Sequence, residues 1–450
     1  MPIDFTLTPE QKAMQAAARQ FAQEALKPLV RAADAEPDPQ KGFQMMKPVY
    51  EIAYEHGLVT GGFPREYGGA GMSNLDLQIA FEEICAVDCG FAFILGVNAL
   101  ALFPVLAYGT EEQKKRFITE ACNDPTHSYL CGYAASEPAG VPGGTANFDH
   151  PSPQGGIRTT ADLVNGEYVI NGRKFWPSSS AGWDMKGAAM NSVVVRTDRT
   201  KGGREGLSVL MVPRGTPGVR YEPCIDKMGM RINQNCDIVY ENARVPAENL
   251  VGPGNGELVV NNGFTFTGPW IGIAATAVAR AAYEYVLKWS KTYTAGGTDP
   301  IIYHQNVGYM LGDIAMRVEA CRYLSWKAAH YLDTYGFDGA QGLSAMTKVF
   351  TSETCVQVVY DCMRVMGCNA YDRAAHPLDK LMRDMLGFPI FDGGNMGMQR
   401  RRLWGLMADE RFDPRAYANC DRVHFGKENE GIGTVTTRPE AVRELATAGR

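Results

Sequence analysis

The sequence predicts an α+β protein in three parts: a helical N-terminal domain, a middle β domain and a C-terminal helical bundle. Three observations carry this. Ala, Leu and Phe recur at helical spacing through AMQAAARQFAQEAL (13–26). Between about 126 and 250 the texture changes to short β-branched runs bounded by Gly, Pro or Asn. After GPGNGEL (252–258) the helical period returns in long stretches that are apolar on one face.

The first domain spans residues 1–125. Thr8-Pro9-Glu10-Gln11 supplies an N-cap, a proline at the first helical position and a glutamine placed for a capping box. A second helix fits MMKPVYEIAYEHG (45–57) and ends on Gly57, and Thr110 caps EEQKKRFITEAC (111–122). Phe91–Gly109 carries no charge over 19 residues. Its Gly96, Asn98 and Pro104, with no Lys/Arg cluster on one flank, predict a buried helix–break–helix and no membrane segment.

In the middle domain, residues 126–250, DLVNGEYVINGRKFW (162–176) reads as two alternating runs around a turn. NSVVVRTD (191–198), GLSVLMVPRG (206–215) and CDIVYENARVP (236–246) are further strands. The C-terminal bundle, residues 251–420, has three helical stretches: 270–291, 306–332 and 344–367. Residues 421–450 are polar and Gly-rich, a surface arm.

A net charge of −6 gives no basic field for nucleic acid. Eleven scattered cysteines without a CxxC pair predict reduced thiols in a cytoplasmic protein. Seven histidines without ligand spacing predict no metal site. The opening MPIDFTLTPEQK has neither the basic nor the apolar region of a signal peptide.

The candidate for chemistry is FDGGNMGMQRRR (391–402), which follows the apolar LGFPI (386–390). From the residues alone, Asp392 is a helix cap, a partner for the arginines, or a base. The arginine run itself reads as a solvated or interface face.

Several stretches together resemble the acyl-CoA dehydrogenase superfamily of FAD enzymes over about residues 5–415. They are PREYGGAG (64–71), GTEEQKKRF (109–117), SEP (136–138), KMGMRINQNCDIVYENARVPAENLVG (227–252) and LDKLMRDM (378–385) leading into FDGG. GGTAN (143–147), WPSSSAGWDMKGA (176–188), GGTDPIIYHQ (296–305) and FDGGNMG are most similar to the nitroalkane oxidase branch.

The resemblance implies a middle β-barrel, a C-terminal four-helix bundle and bound FAD. It makes Asp392 the base, where most acyl-CoA dehydrogenases have Glu. Some members place the base on the helix that starts near 264; Thr267 stands there, and a hydroxyl cannot serve at neutral pH. Aspartate is shorter than glutamate by about 1.5 Å, which favours a small or more acidic substrate. Tyr133, Ser136, Trp176 and Ser178 would lie beside the flavin, with Ser178 donating to it. His304, Gln305, Gly367 and Asn395 would hold the rest of FAD near the interfaces of a homotetramer or homodimer.

Two departures argue against a CoA thioester: Gly268 replaces the family's substrate-binding arginine, and TAGGT (294–298) replaces its RxxFG motif. A third concerns the base: Gln399 stands where an arginine is usual, which weakens the charge near Asp392 unless Arg400 turns in. The expected function is oxidation of a small-molecule nitroalkane to an aldehyde or ketone, nitrite and hydrogen peroxide. The alternatives are an acyl-CoA dehydrogenase that forms an α,β-enoyl-CoA and passes electrons to electron-transfer flavoprotein, and an inactive flavin-binding scaffold. Retention of Asp392, Trp176 and Ser178 argues against the scaffold.

Overall fold

The chain enters its first helix, α1 (Pro9–Phe21), through a reciprocal cap. Thr8 Oγ1 accepts from the Gln11 amide, and Gln11 Oε1 accepts from the Thr8 amide at 3.0 Å. A π-turn over Ala22–Leu26 leads into α2 (Lys27–Ala35), followed by α3 (Pro39–Gln44) and α4 (Lys47–Glu55). Helices α5 (Asn74–Cys85), α6 (Cys89–Tyr108) and α7 (Glu111–Cys122) complete this part, and Thr110 and Gln113 repeat the reciprocal cap at α7. The computed structural model describes residues 5–138, 148–252 and 254–423, so GGTAN and the polar tail beyond 423 lie outside it.

The expected break in the apolar segment does not occur, because α6 runs unbroken past Gly96, Asn98 and Pro104. Tertiary partners satisfy the polar residue that signalled it. Asn98 Nδ2 donates to Tyr50 Oη and the Tyr129 carbonyl, both at 2.9 Å, and Asn98 Oδ1 accepts from the Cys131 amide at 2.7 Å. Pro104 removes a single backbone donor. Among the described residues α6 is the one helix long and apolar enough to cross a membrane, and most of it is buried inside the protein.

The middle part is an eight-stranded sheet. Its strands are β1 (Cys131–Ala134), β2 (Thr160–Val164), β3 (Glu167–Lys174), β4 (Met190–Arg196), β5 (Leu207–Pro213), β6 (Val219–Tyr221), β7 (Ile238–Pro246) and β8 (Leu250–Val251), with a helical turn α8 (Gly203–Gly206) before β5. The path runs β6-β7-β3-β2-β4-β5-β8, and β1 pairs parallel with β4. Asn165 and Gly166 both have positive φ (54° and 83°), the geometry of the tight turn that joins β2 to β3. Alternation divides the sheet into two faces. Val193 and Val195 join Leu210 and Val212 in one cluster, while Val194 joins Leu207 and Val209 against Phe103 of the helical part.

Beyond the sheet, α9 (Gly256–Ser290) starts well before the stretch read as its beginning, so Thr267, Gly268 and Pro269 are all helical. Helix α10 (Gln305–Met366) carries both later helical stretches and bends at Gly336 (φ 67°, ψ −166°). These two helices and α11 (Leu378–Met385) pack on one another, and α12 (Arg400–Met407) and α13 (Pro414–Asn419) follow. Glycines allow α9 and α10 to approach closely. A Cβ at Gly268 would stand 2.1 Å from Ser344 Oγ, and one at Gly272 would stand 2.5 Å from Thr347 Cγ2.

Candidate active site

Asp392 sits on the loop between α11 and α12 with φ 53°, a left-handed backbone that costs energy for any residue but glycine. It follows Phe391, whose ring packs against Phe93 of α6 (5.5 Å between centroids) and Phe388 (5.4 Å). Its carboxylate meets α9: Thr267 Oγ1 donates to Asp392 Oδ2 at 2.8 Å. Asp392 therefore caps nothing. The π-turn that follows it, Asn395–Gln399, starts from Gly394 without a side-chain cap.

Burial pushes the Asp392 carboxyl above the usual carboxylate range. Lys348, the Thr267 hydrogen bond and Arg402 hold it down without cancelling that rise. Lys348 Nζ, fully buried, donates to the Phe388 carbonyl at 2.9 Å and to Asn395 Oδ1 at 2.8 Å. Asp392 itself keeps part of its surface free, as a group that must meet a substrate requires.

The arginine run is not one solvated face. Arg400 is exposed and pairs with Glu353 at 3.4 Å, and Arg401 reaches the buried Asp149 at 2.6 Å. Arg402 turns inward. It is 8% exposed, and its Nη1 donates to Gln399 Oε1 at 2.9 Å. Gln399 Nε2 in turn donates to the Asp392 carbonyl at 2.9 Å. Within the arginine run, Arg402, three residues from Gln399 on the same helical face, is thus the one that faces Asp392, alongside Lys348, and Arg400 is not.

The expected flavin contacts fall into two groups. Around β1 and β3 the polar atoms are arranged for a ligand. The Tyr133 hydroxyl is buried without a hydrogen-bond partner, and burial together with the Asp392 charge pushes its pKa up. Ser178 Oγ accepts from Asn233 Nδ2 at 3.1 Å and from Asn235 Nδ2 at 3.3 Å, which leaves its own proton to be donated outward. Asn233 Oδ1 has no partner. Trp176 has a positive φ of 66° and an indole 43% exposed beside Phe175. The Ser136 carbonyl accepts from the Phe175 amide at 2.9 Å. Next to it, the buried Glu137 binds the Arg158 and Thr159 amides and Lys174. An orphaned hydroxyl, a free donor and an uncovered indole fit the edge and face of a flavin ring.

The second group lies apart. His304 and Gln305 are exposed at the start of α10, and Gly367 (φ 60°) is exposed at its end. None of them makes a hydrogen bond to Tyr133, Ser178 or Asp392 among the described residues. Asn395 departs from expectation. It is 1% exposed, and its amide is engaged internally by Lys348, by Ser352 Oγ at 2.8 Å and by Glu353 at 3.0 Å. It braces the Asp392 loop through these three side chains. Lys348 and Arg402 escaped the sequence reading; a lysine inside the apolar run AMTKVF (345–350) was the signal for the first.

A cavity of about 210 Å³ lies against α9. Phe81, Leu95, Ala99, Phe103, Phe266 and Trp270 form much of its wall, and no charged side chain lines it. Phe266 immediately precedes Thr267, and Trp270 lies one turn beyond it.

The chain matches the acyl-CoA dehydrogenase N-terminal domain over residues 8–124, the middle domain over 145–243 and the C-terminal domain over 254–404. It is 31% identical over 432 residues to nitroalkane oxidase of Fusarium oxysporum, covering 92% of this chain and 97% of that one. It is 32% identical over 431 residues to nitroalkane oxidase of Podospora anserina, covering 92% and 98%. An active-site mutant of nitroalkane oxidase crystallised with 1-nitrooctane superposes with a TM-score of 0.85 at 30% identity, covering 92% of this chain and 99% of that one. With its three domains matched and relatives above 30% identity over nearly its whole length, the chain belongs to the acyl-CoA dehydrogenase family and is an FAD-dependent oxidoreductase.

Proposed function

We propose that the protein oxidises nitroalkanes with an apolar carbon chain, and that Asp392 removes the proton from the carbon bearing the nitro group. The observation that carries this reading is the Asp392 carboxylate bonded to Thr267, whose helix neighbours Phe266 and Trp270 form part of the wall of an apolar cavity. Oδ2 is held by Thr267, Oδ1 is left to take a proton, and the carboxyl is raised by burial towards the pH at which a base works best. A nitro group makes the adjacent carbon acidic enough for a carboxylate, and the short aspartate side chain suits a compact head group. Relatives named nitroalkane oxidase, at 31% and 32% identity, support the substrate class.

The chemistry that FAD supplies when bound is two-electron oxidation of the deprotonated substrate, with oxygen as final acceptor. Tyr133, Ser136, Trp176 and Ser178 would hold its ring, and Ser178 has the free proton to donate there. The cavity takes the carbon chain and keeps water from the reacting carbon. Gly268 supports the oxidase reading over the dehydrogenase one: a Cβ there would collide with Ser344, so no arginine can stand at that position to bind an acyl-CoA.

The same reading makes the enzyme a cytoplasmic homotetramer or homodimer. All eleven cysteines are free, as a reducing compartment requires. Tyr303, Tyr309 and Tyr371 are exposed by 78%, 65% and 85% beside His304, Gln305 and Gly367, a surface that a second copy would cover while completing the FAD site.

Anaerobic mixing with nitroethane, and separately with a panel of acyl-CoAs, tests the substrate. Bleaching of the flavin by nitroethane is expected. Bleaching by acyl-CoAs alone would establish the dehydrogenase, with electron-transfer flavoprotein as the acceptor to assay. A yellow protein that no carbon acid bleaches would be a scaffold.

A further inference from the structure

We infer that Gln399 and Arg402 act as one positioning unit for Asp392, in which Arg402 supplies the cation and Gln399 connects it to the loop that carries the carboxylate. The inference rests on the reading of Asp392 as the base.

The connection is continuous and buried. Arg402 Nη1 donates to Gln399 Oε1 (2.9 Å), and Gln399 Nε2 donates to the Asp392 carbonyl (2.9 Å). Gln399 is fully buried, so water does not compete for either bond. The other end of the guanidinium is fixed to α9. Arg402 Nη2 donates to Thr265 Oγ1 at 2.7 Å and to the Asn261 carbonyl at 3.1 Å, and Thr265 is itself bonded to Asn261. Asp392 is bonded to Thr267, two residues along the same helix. The base and its cation are therefore referenced to one rigid element.

The charge has nowhere else to go. A guanidinium stays protonated, and a buried one is costly unless an anion balances it. Among the described residues no carboxylate lies in ion-pair contact with Arg402, and Asp392 is the carboxylate whose charge it feels. Arg400 and Arg401 are occupied by Glu353 and Asp149. The other groups facing Asp392 are Lys348, Thr267 and the Tyr133 hydroxyl. Lys348 is bound to the Phe388 carbonyl and to Asn395, on either side of Asp392 in the loop, and does not touch Gln399. Arg402 thus makes a separate contribution.

The test reads the titration of Asp392 in two ways on FAD-loaded protein. One is the pH profile of flavin reduction by whichever carbon acid bleaches the enzyme. The other is the infrared pH-difference spectrum, with the Asp392 carboxyl band identified as the one lost in Asp392→Asn. Arg402→Gln should move both midpoints up by about one pH unit, with about tenfold slower reduction below the midpoint and recovery above it. Arg402→Lys should move them by less. The double variant Gln399→Arg with Arg402→Gln returns one cation to the pocket and should restore the native midpoint. Unmoved midpoints in folded, yellow Arg402→Gln would overturn the inference. If that variant does not fold, an unmoved midpoint in Arg402→Lys together with a displaced one in the double variant does so. Because the infrared titration needs no substrate, it separates failure of this inference from failure of the nitroalkane reading.

Discussion

Thr267 Oγ1 lies 2.8 Å from Asp392 Oδ2, which joins the middle of α9 to a loop 125 residues further along the chain. The hydroxyl holds one oxygen of the carboxylate proposed as the base. Its bond favours the carboxylate over the acid. Thr267→Ala should therefore raise the Asp392 pKa further, moving the acidic limb of the rate profile up by about one pH unit. Because a base works in its ionised form, the variant should be slow below the limb and near normal above it. A uniform loss at every pH would show that Thr267 acts by placement alone.

Asp392→Asn removes the proton acceptor while keeping an oxygen for Thr267. Flavin reduction should fall by about 10²- to 10⁴-fold with any carbon acid, with FAD content unchanged. Rapid-mixing spectroscopy checks it, and near-normal reduction would refute the assignment of the base.

Local signals in the sequence carried over well and distant ones did not. The reciprocal caps at Thr8 and Thr110 and the Asn165-Gly166 turn depend on residues within a few positions, so they were legible. The break expected in α6 failed because Asn98 is satisfied by Tyr50, Tyr129 and Cys131, partners that only the folded chain brings near. Asp392 was found through its resemblance to a family motif, yet its environment was not. Comparing one position at a time marks Gln399 as a lost arginine, whereas helical geometry returns a guanidinium from three residues on. Asn395 lies in the recognised motif, but its neighbours Lys348, Ser352 and Glu353 are more than forty positions away in sequence.

Lys348→Met tests how the loop is held. The lysine is fully buried, and burial pulls its ammonium down to about 8. Its loss would leave the Phe388 carbonyl and Asn395 Oδ1 without their donor, at a cost of about 1–3 kcal/mol for each. It would also remove the largest single influence that keeps Asp392 ionised. Lower stability in chemical denaturation should accompany an upward shift of the acidic limb. A stability loss with an unmoved limb would confine Lys348 to bracing.

The cavity predicts how rate depends on chain length. Each methylene moved from water into an apolar wall is worth about 0.8 kcal/mol, about fourfold in kcat/KM where the gain is realised at the transition state. A series from nitroethane upward should rise by about that factor per carbon until the space of about 210 Å³ is filled, and then level off. Ala99, on α6, lines this space, so Ala99→Leu should shorten it. The levelling point should then come at a shorter chain, with nitroethane least affected because it carries the shortest chain. Steady-state kinetics on both proteins gives the comparison, and identical chain-length profiles would place the substrate's carbon chain outside this cavity.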